Sequence, residues 1–173
     1  MILGMSLSTF TLLHVVISLA GIGSGLIVVY GMMTRNRMDG MTAFFLVTTI
    51  LTDLTGYLFP VEHILPSHIV GAISLTVLAI ALVARSGRRM EGSWRWIYVV
   101  TAMIGLYLNV FVAVAQSFMK IPAVHALAPT QKEPPFLVVQ LLVMAIFVVL
   151  GVLAVKKFRL AAAAAPAAWK KAS

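Results

Sequence analysis

The chain has 173 residues, of which 61% are hydrophobic and only 10% charged, with a formal net charge of +8 and no cysteine. A soluble domain carries about 25% charged residues, so this composition describes an integral membrane protein with a single domain. Without a thiol there are no disulfides, thiolate metal sites, iron–sulfur clusters or covalently attached c-type haem, and the basic excess reads as membrane topology rather than a nucleic-acid footprint.

Five apolar stretches come near the roughly 20 residues that a bilayer helix needs. They predict an all-α bundle of five transmembrane helices over residues 1–159, followed by an Ala-rich basic cytoplasmic tail over residues 160–173. The first stretch runs from about Ser8 to Met33. It lacks a basic leading region and its apolar run is long, so it reads as a retained span rather than a cleaved signal. Gly21, Gly23, Ser24, Gly25 and Gly31 give it a small-residue surface. Such a surface lets helices approach closely, and it would equally make room beside a flat cofactor.

The second stretch, Met41 to Phe59, carries Asp53 in its midst. A carboxylate at the centre of a bilayer helix costs about 2.5–3.5 kcal/mol, against about 0.3–0.6 kcal/mol returned by each Leu, Ile, Val or Phe. Asp53 is therefore expected to face other helices or water, and a submerged acid is a functional candidate. The bland alternative is a protonated Asp53 that hydrogen-bonds Thr49 or Asn109. The third stretch is His68 to Ala84, the fourth Trp96 to Phe118 and the fifth Phe136 to Val155. Pro60 and Pro66 bracket the connection after the second, and Pro122, Pro129, Pro134 and Pro135 mark the longer loop after the fourth, where proline breaks helices.

Arg35 and Arg37, then Arg85, Arg88, Arg89 and Arg95, then Lys156, Lys157, Arg159, Lys170 and Lys171 fall on one side of this layout. Only Lys120 and Lys132 fall on the other. The positive-inside rule then puts the N-terminus outside and the C-terminus inside a bacterial-type inner membrane. The basic tail is expected to rest on anionic lipid at the inner face, gaining about 1 kcal/mol per residue.

With that orientation, His14, His63, His68 and His125 all fall toward the outer side. Asp53 lies about 9 Å below the outer end of its span at 1.5 Å per residue. Asn109, Gln116 and Gln140 occupy the outer halves of the fourth and fifth spans. His14, Ser18, Gly21 and Gly25 share one helix face, as do Thr49, Asp53, Gly56 and Pro60, and again Gly105, Asn109, Ala113 and Gln116. In lipid such stripes turn inward, and together they outline a polar cavity in the outer leaflet. The proline-flanked loop around Thr130 to Glu133 suggests an ordered lid or a plain connection.

Three chemistries fit these residues. A b-type haem needs two facing imidazoles, for which His14 and His68 are the pair if the first and third spans are neighbours. The segment His68 to Gly71 is similar in that one stretch to membrane b-type cytochromes, and no family follows from it. A transition metal would take His14, Asp53, His63 and His68, with Glu62 nearby, or Asp53 would hold the His14 tautomer. Proton handling would use Asp53 with His14, and a quinone would use Tyr57 with the same groups. Hydrolase, Walker and dinucleotide fingerprints are absent. The leading expectation is a small redox-type protein of the inner membrane, working with membrane or redox partners and binding haem b or a metal. The alternatives are a non-catalytic subunit or scaffold of a larger complex and a small proton-coupled transporter.

Overall fold

The computed structural model describes residues 1–36, 38–60 and 65–169, with side chains as far as residue 158. The helices are α1 (Leu7–Thr34), α2 (Asp39–Gly56), α3 (Pro66–Leu82), α4 (Trp94–Lys120), the short α5 (Pro122–His125) and α6 (Pro134–Trp169). Each long helix overruns the apolar stretch that announced it by a residue or more at its start. Ser6 Oγ accepts the Thr9 N–H at 3.1 Å and starts α1. Arg35, in the left-handed region at φ 61°, turns the chain out of α1 by donating its N–H to Gly31 O. Pro66 opens α3 and Pro134 opens α6, positions where a missing N–H costs nothing. The third stretch continues past Leu82 as a π turn, Val83–Gly87. There Arg88 N–H reaches back to Val83 O at 2.9 Å. The backbone of α6 crosses residue 160 without a break and stays helical to Trp169.

The long helices run alternately up and down. α1 packs on α2, α2 on α3, α3 on α4, α4 on α6, and α6 closes back onto α1. α4 also crosses the middle and touches α1 and α2, which makes it the spine of the bundle. α1 and α3 do not pack on each other, because α2 stands between them. The neighbourhood of the first and third spans on which a haem pair would rest is therefore corrected. The core lies toward the end that carries the arginines, with Val28, Phe45, Leu78, Ala81, Val99 and Leu106 each at most 4% exposed. Two glycines set the spacing there. A Cβ on Gly25 would meet Leu106 Cδ1 at 2.5 Å, and one on Gly105 would meet Leu78 Cδ2 at 2.7 Å.

Among the described residues four helices, α1, α3 with its π turn, α4 and the first 25 residues of α6, are long and apolar enough to cross a membrane. α2 is not among them, because its eighteen residues include Asp39, Asp53 and five threonines. Its amphipathicity is inverted. Phe44, Val47, Leu51 and Leu54 are exposed, while Thr42, Thr48, Thr49 and Thr52 are buried against the bundle. Thr48, Thr49, Thr52 and Thr55 each return their hydroxyl hydrogen to a carbonyl of their own helix at 2.7–2.9 Å, so their burial leaves no donor orphaned.

Contacts at the two ends show which turns lie together. At one end Arg85 Nη2 pairs with Asp39 Oδ1 at 3.0 Å, Arg88 lies over the Trp94 ring, and Arg95 lies over Phe158. The turns α1–α2 and α3–α4 thus meet the lower part of α6. At the other end the loop after α4 is pinned down. His125 Nδ1 contacts Phe118 O at 3.0 Å, and Gln131 Nε2 donates to Ala115 O at 2.7 Å. The loop folds onto α4 as an ordered connection.

Glu133 holds the last turn of that loop by accepting the Thr130 N–H and hydroxyl and the Lys132 N–H. Desolvation pushes its carboxyl upward, but these hydrogen bonds outweigh it and hold the group below the usual glutamate range. A depressed acid stabilises the turn above its unfolded pKa and loses that contribution as pH falls through the folded value. The Thr130 and Lys132 amide resonances are expected to keep their positions from neutral pH down to that region and move below it. Glu133→Gln should flatten the titration.

Candidate functional site

The polar residues singled out in the sequence gather at the end opposite the arginines, in two groups. The first surrounds the C-terminus of α2. His14 Nδ1 on α1 bonds Thr55 Oγ1 at 2.8 Å, and the His14 ring stands edge-on to Phe59 at 5.2 Å. On the other flank the Tyr57 hydroxyl donates to His68 O at 2.6 Å, and the two rings lie 5.3 Å apart. His68 Nδ1 accepts the Leu65 N–H at 3.0 Å, so this imidazole caps the start of α3. His14 and His68 thus bracket one helix end from its two sides, each with a ring nitrogen engaged.

The second group lies deeper, where α1, α2, α3 and α4 converge. Ser18 of α1 donates to Asn109 Oδ1 of α4 at 2.8 Å. Gly21 opens the space beside this pair, since a Cβ there would meet Asn109 Nδ2 and Thr49 Oγ1, each at 3.2 Å. Ser18, Gly21, Thr49 and Asn109 therefore meet where α1, α2 and α4 come together. Asp53 lies one turn outward from Thr49 and turns toward Ser74 of α3. Its carboxyl and the Ser74 hydroxyl are neighbours with no short hydrogen bond between them or to any other side chain, and Asn109 Nδ2 is buried without a hydrogen-bond partner.

Leu78 packs on Gly105. One turn outward from each, Ser74 and Asn109 reach the same level of the antiparallel α3–α4 pair. The sequence reading missed Ser74. It belongs to a fourth stripe, Gly71, Ser74, Leu78 and Ala81, all buried, whose helical spacing was readable and whose small residues mark the inward face of α3.

Gln116 sits two turns outward from Asn109 on the same face of α4, and its Oε1 is also without a partner. Gln140 lies elsewhere, on α6, where its Nε2 donates to Phe111 O at 3.1 Å and so ties α6 to the spine. His125 belongs to the loop. His63 and Glu62, expected as ligands, lie outside the described residues, as does Arg37. Among the described residues no three His, Asp or Glu side chains stand together as a metal-binding group.

The chemistry this arrangement supports is that of hydrogen bonds and protons. It offers a carboxylate, an amide and a hydroxyl with spare capacity, enclosed by helices and bordered outward by an amide and an imidazole. No protein-family model, curated protein or solved structure matches the chain.

Proposed function

We propose that this chain is a five-span inner-membrane protein, N-terminus outside and C-terminus inside, whose interior acid Asp53 exchanges protons with the outer side. On this reading it works as a small proton-coupled carrier. The observation that carries the reading is Asp53 itself: a carboxylate oxygen buried among helices without a partner is expensive in lipid and is found where a proton or solute passes. Ser74 and Asn109 make up its polar surroundings, and Gln116 extends them outward. α2 serves as the fifth span because its apolar face looks out and its hydroxyl face looks in. At about 1.5 Å per residue its eighteen residues reach roughly 27 Å, close to the hydrocarbon thickness. The arginine-rich end faces the cytoplasm by the positive-inside rule, where exposed Arg88 and Arg89 meet anionic lipid.

Reconstitution into liposomes loaded with a pH-sensitive dye tests the reading. Under a potassium diffusion potential the wild type should move protons faster than empty vesicles, and Asp53→Asn should fall to the empty-vesicle rate. Equal rates in the two proteins would end the proposal. The absorption spectrum of the same preparation addresses the redox alternative. A Soret band lost in His14→Ala or His68→Ala would replace proton transport with haem b binding.

A further inference from the structure

We infer that the cleft at the arginine-rich end is a specific site for the phosphate of an anionic phospholipid headgroup, held by Arg85 and Thr42. The site goes beyond the proton-handling reading and is independent of it, since neither the cleft nor its test involves Asp53.

The cleft lies where the α1–α2 turn, the π turn after α3 and the start of α4 meet α6. Arg85, Asp39 and Thr42 give it polar walls, and Met32, Met90 and Phe158 give it apolar ones. Its enclosed volume is about 20 Å³, which admits one oxygen-sized group. A ligand therefore enters by its tip and keeps its bulk outside, as a tethered headgroup does and an engulfed small molecule does not. The level suits a headgroup too. Met32 is in the last turn of α1, Asp39 begins α2, and Phe158 ends the membrane-crossing part of α6.

Arg85 is the informative member. Its side chain is only 15% exposed, yet Nη2 alone makes its bonds, to Asp39 O at 2.9 Å and to Asp39 Oδ1 at 3.0 Å. Among the described residues Nε and Nη1 make none, so a guanidinium suited to paired bonds with a phosphate keeps donors to spare. Thr42 is the exception among the threonines of α2. The other four return their hydroxyls to the helix backbone. Thr42, 6% exposed, has no such bond among the described residues. Both side chains thus bring unused donors to one cavity.

The backbone that delivers Arg85 is itself unusual. It is a π turn, a form that concentrates at functional sites. After it, Arg89 (φ 48°) and Met90 (φ 56°) take the left-handed region in succession, a conformation that persists where the surroundings fix it. Two donors ask for acceptor oxygens, and the guanidinium opposes a cation. Asp39 opposes an anion, but its side chain is 63% exposed, where solvent and salt weaken it. The attraction of exposed arginines to anionic lipid makes no demand on any single residue, whereas this site depends on one buried arginine.

The test uses the full-length protein in a neutral detergent, titrated with dioleoylphosphatidylglycerol, with dioleoylglycerol (the same chains without the phosphate) or with inorganic phosphate. At about a hundred times the dissociation constant, the phospholipid should raise the melting temperature by about 5–10 °C. Each variant is read against its own lipid-free melting temperature, so a destabilised one still reports. Arg85→Gln should lose the rise. Arg85→Lys keeps the charge without the fork and should lose most of it. Thr42→Val should shrink it. Asp39→Asn removes the opposing carboxylate and should keep or enlarge it. A rise with inorganic phosphate as well supports the site and makes its source a soluble phosphate compound. Three results overturn the inference: no rise in the wild type, an equal rise with dioleoylglycerol, or a rise lost in Asp39→Asn as it is in Arg85→Gln. The last would leave the pair as a clasp between two turns.

Discussion

Gly25→Leu is expected to abolish the monodisperse folded protein in detergent. Gly25 lies on the inner face of α1, where the chain crosses both α2 and α4. Even a single added carbon would sit 2.5 Å from Leu106 Cδ1 and 2.9 Å from two atoms of the Phe45 ring. Neither neighbour can step aside, since Leu106 and Phe45 are each 1% exposed and packed in the core. Alanine at this position should lower the melting temperature through overpacking that costs about 1–3 kcal/mol. Leucine adds three further carbons in the same place and would consume much of the roughly 5–15 kcal/mol by which folded proteins are stable.

The control is two residues away. A Cβ on Gly23 meets nothing within 4 Å. Gly23→Ala should therefore be neutral or stabilising, gaining up to about 1 kcal/mol of helix propensity. Opposite signs from two glycines in one short window would separate close helix packing from a general intolerance of side chains. A well-folded Gly25→Leu protein would mean that α1 does not approach α2 and α4 as described.

These glycines show what the sequence made legible. Period-3.6 spacing places Ser18, Gly21 and Gly25 on one face whatever the neighbours are, and the same holds for Thr49 with Asp53 and for Asn109 with Gln116. In a chain this apolar, a small or polar stripe has nowhere to go but inward, so the convergence of α1, α2 and α4 could be argued before any coordinates. The identity of neighbours could not. Whether α1 touches α3 depends on which pairs of surfaces fit best, and the fit of Gly25 against Phe45 and Leu106 pulls α2 and α4 onto α1. α3 is left on the far side of α2.

The pairing of His14 with His68 relied on the one adjacency that helical spacing does not determine. His68 carried a local signal of a different kind. It stands three residues after Leu65 and just inside a proline-started helix, which is where a side chain is used to hold the first turn. Ser74 escaped notice for a simpler reason. A lone serine in an apolar helix ordinarily bonds its own backbone, and only the structure shows that this one does not. The Arg85–Asp39 pair was equally silent, since it joins residues 46 positions apart.

Asp53→Leu should stabilise α2 as a membrane span and remove its function in the same step. Asp53 stands three residues from the C-terminal end of α2, so the roughly 2.5–3.5 kcal/mol that insertion scales give an aspartate at mid-helix is an upper limit, and a leucine returns about 0.3–0.6 kcal/mol. The exchange is therefore worth at most about 3–4 kcal/mol, or up to roughly 1,000-fold in an insertion equilibrium at 1.4 kcal/mol per decade. The absence of cysteine makes the measurement direct. Single cysteines introduced at Pro60 and at Arg35, beyond the two ends of α2, can be labelled from opposite sides of sealed vesicles. The fraction of chains labelled in the fully inserted pattern should rise from wild type through Asp53→Asn to Asp53→Leu, and the melting temperature should rise with it. Dye-reported proton movement should be lost in both variants.

On the proposed reading, the acid stays in the most marginal helix, where leucine would hold more firmly, because of the proton it carries. If Asp53→Leu instead lowers the melting temperature, the carboxyl group holds α2 to α3 through Ser74, and its burial is explained by packing alone.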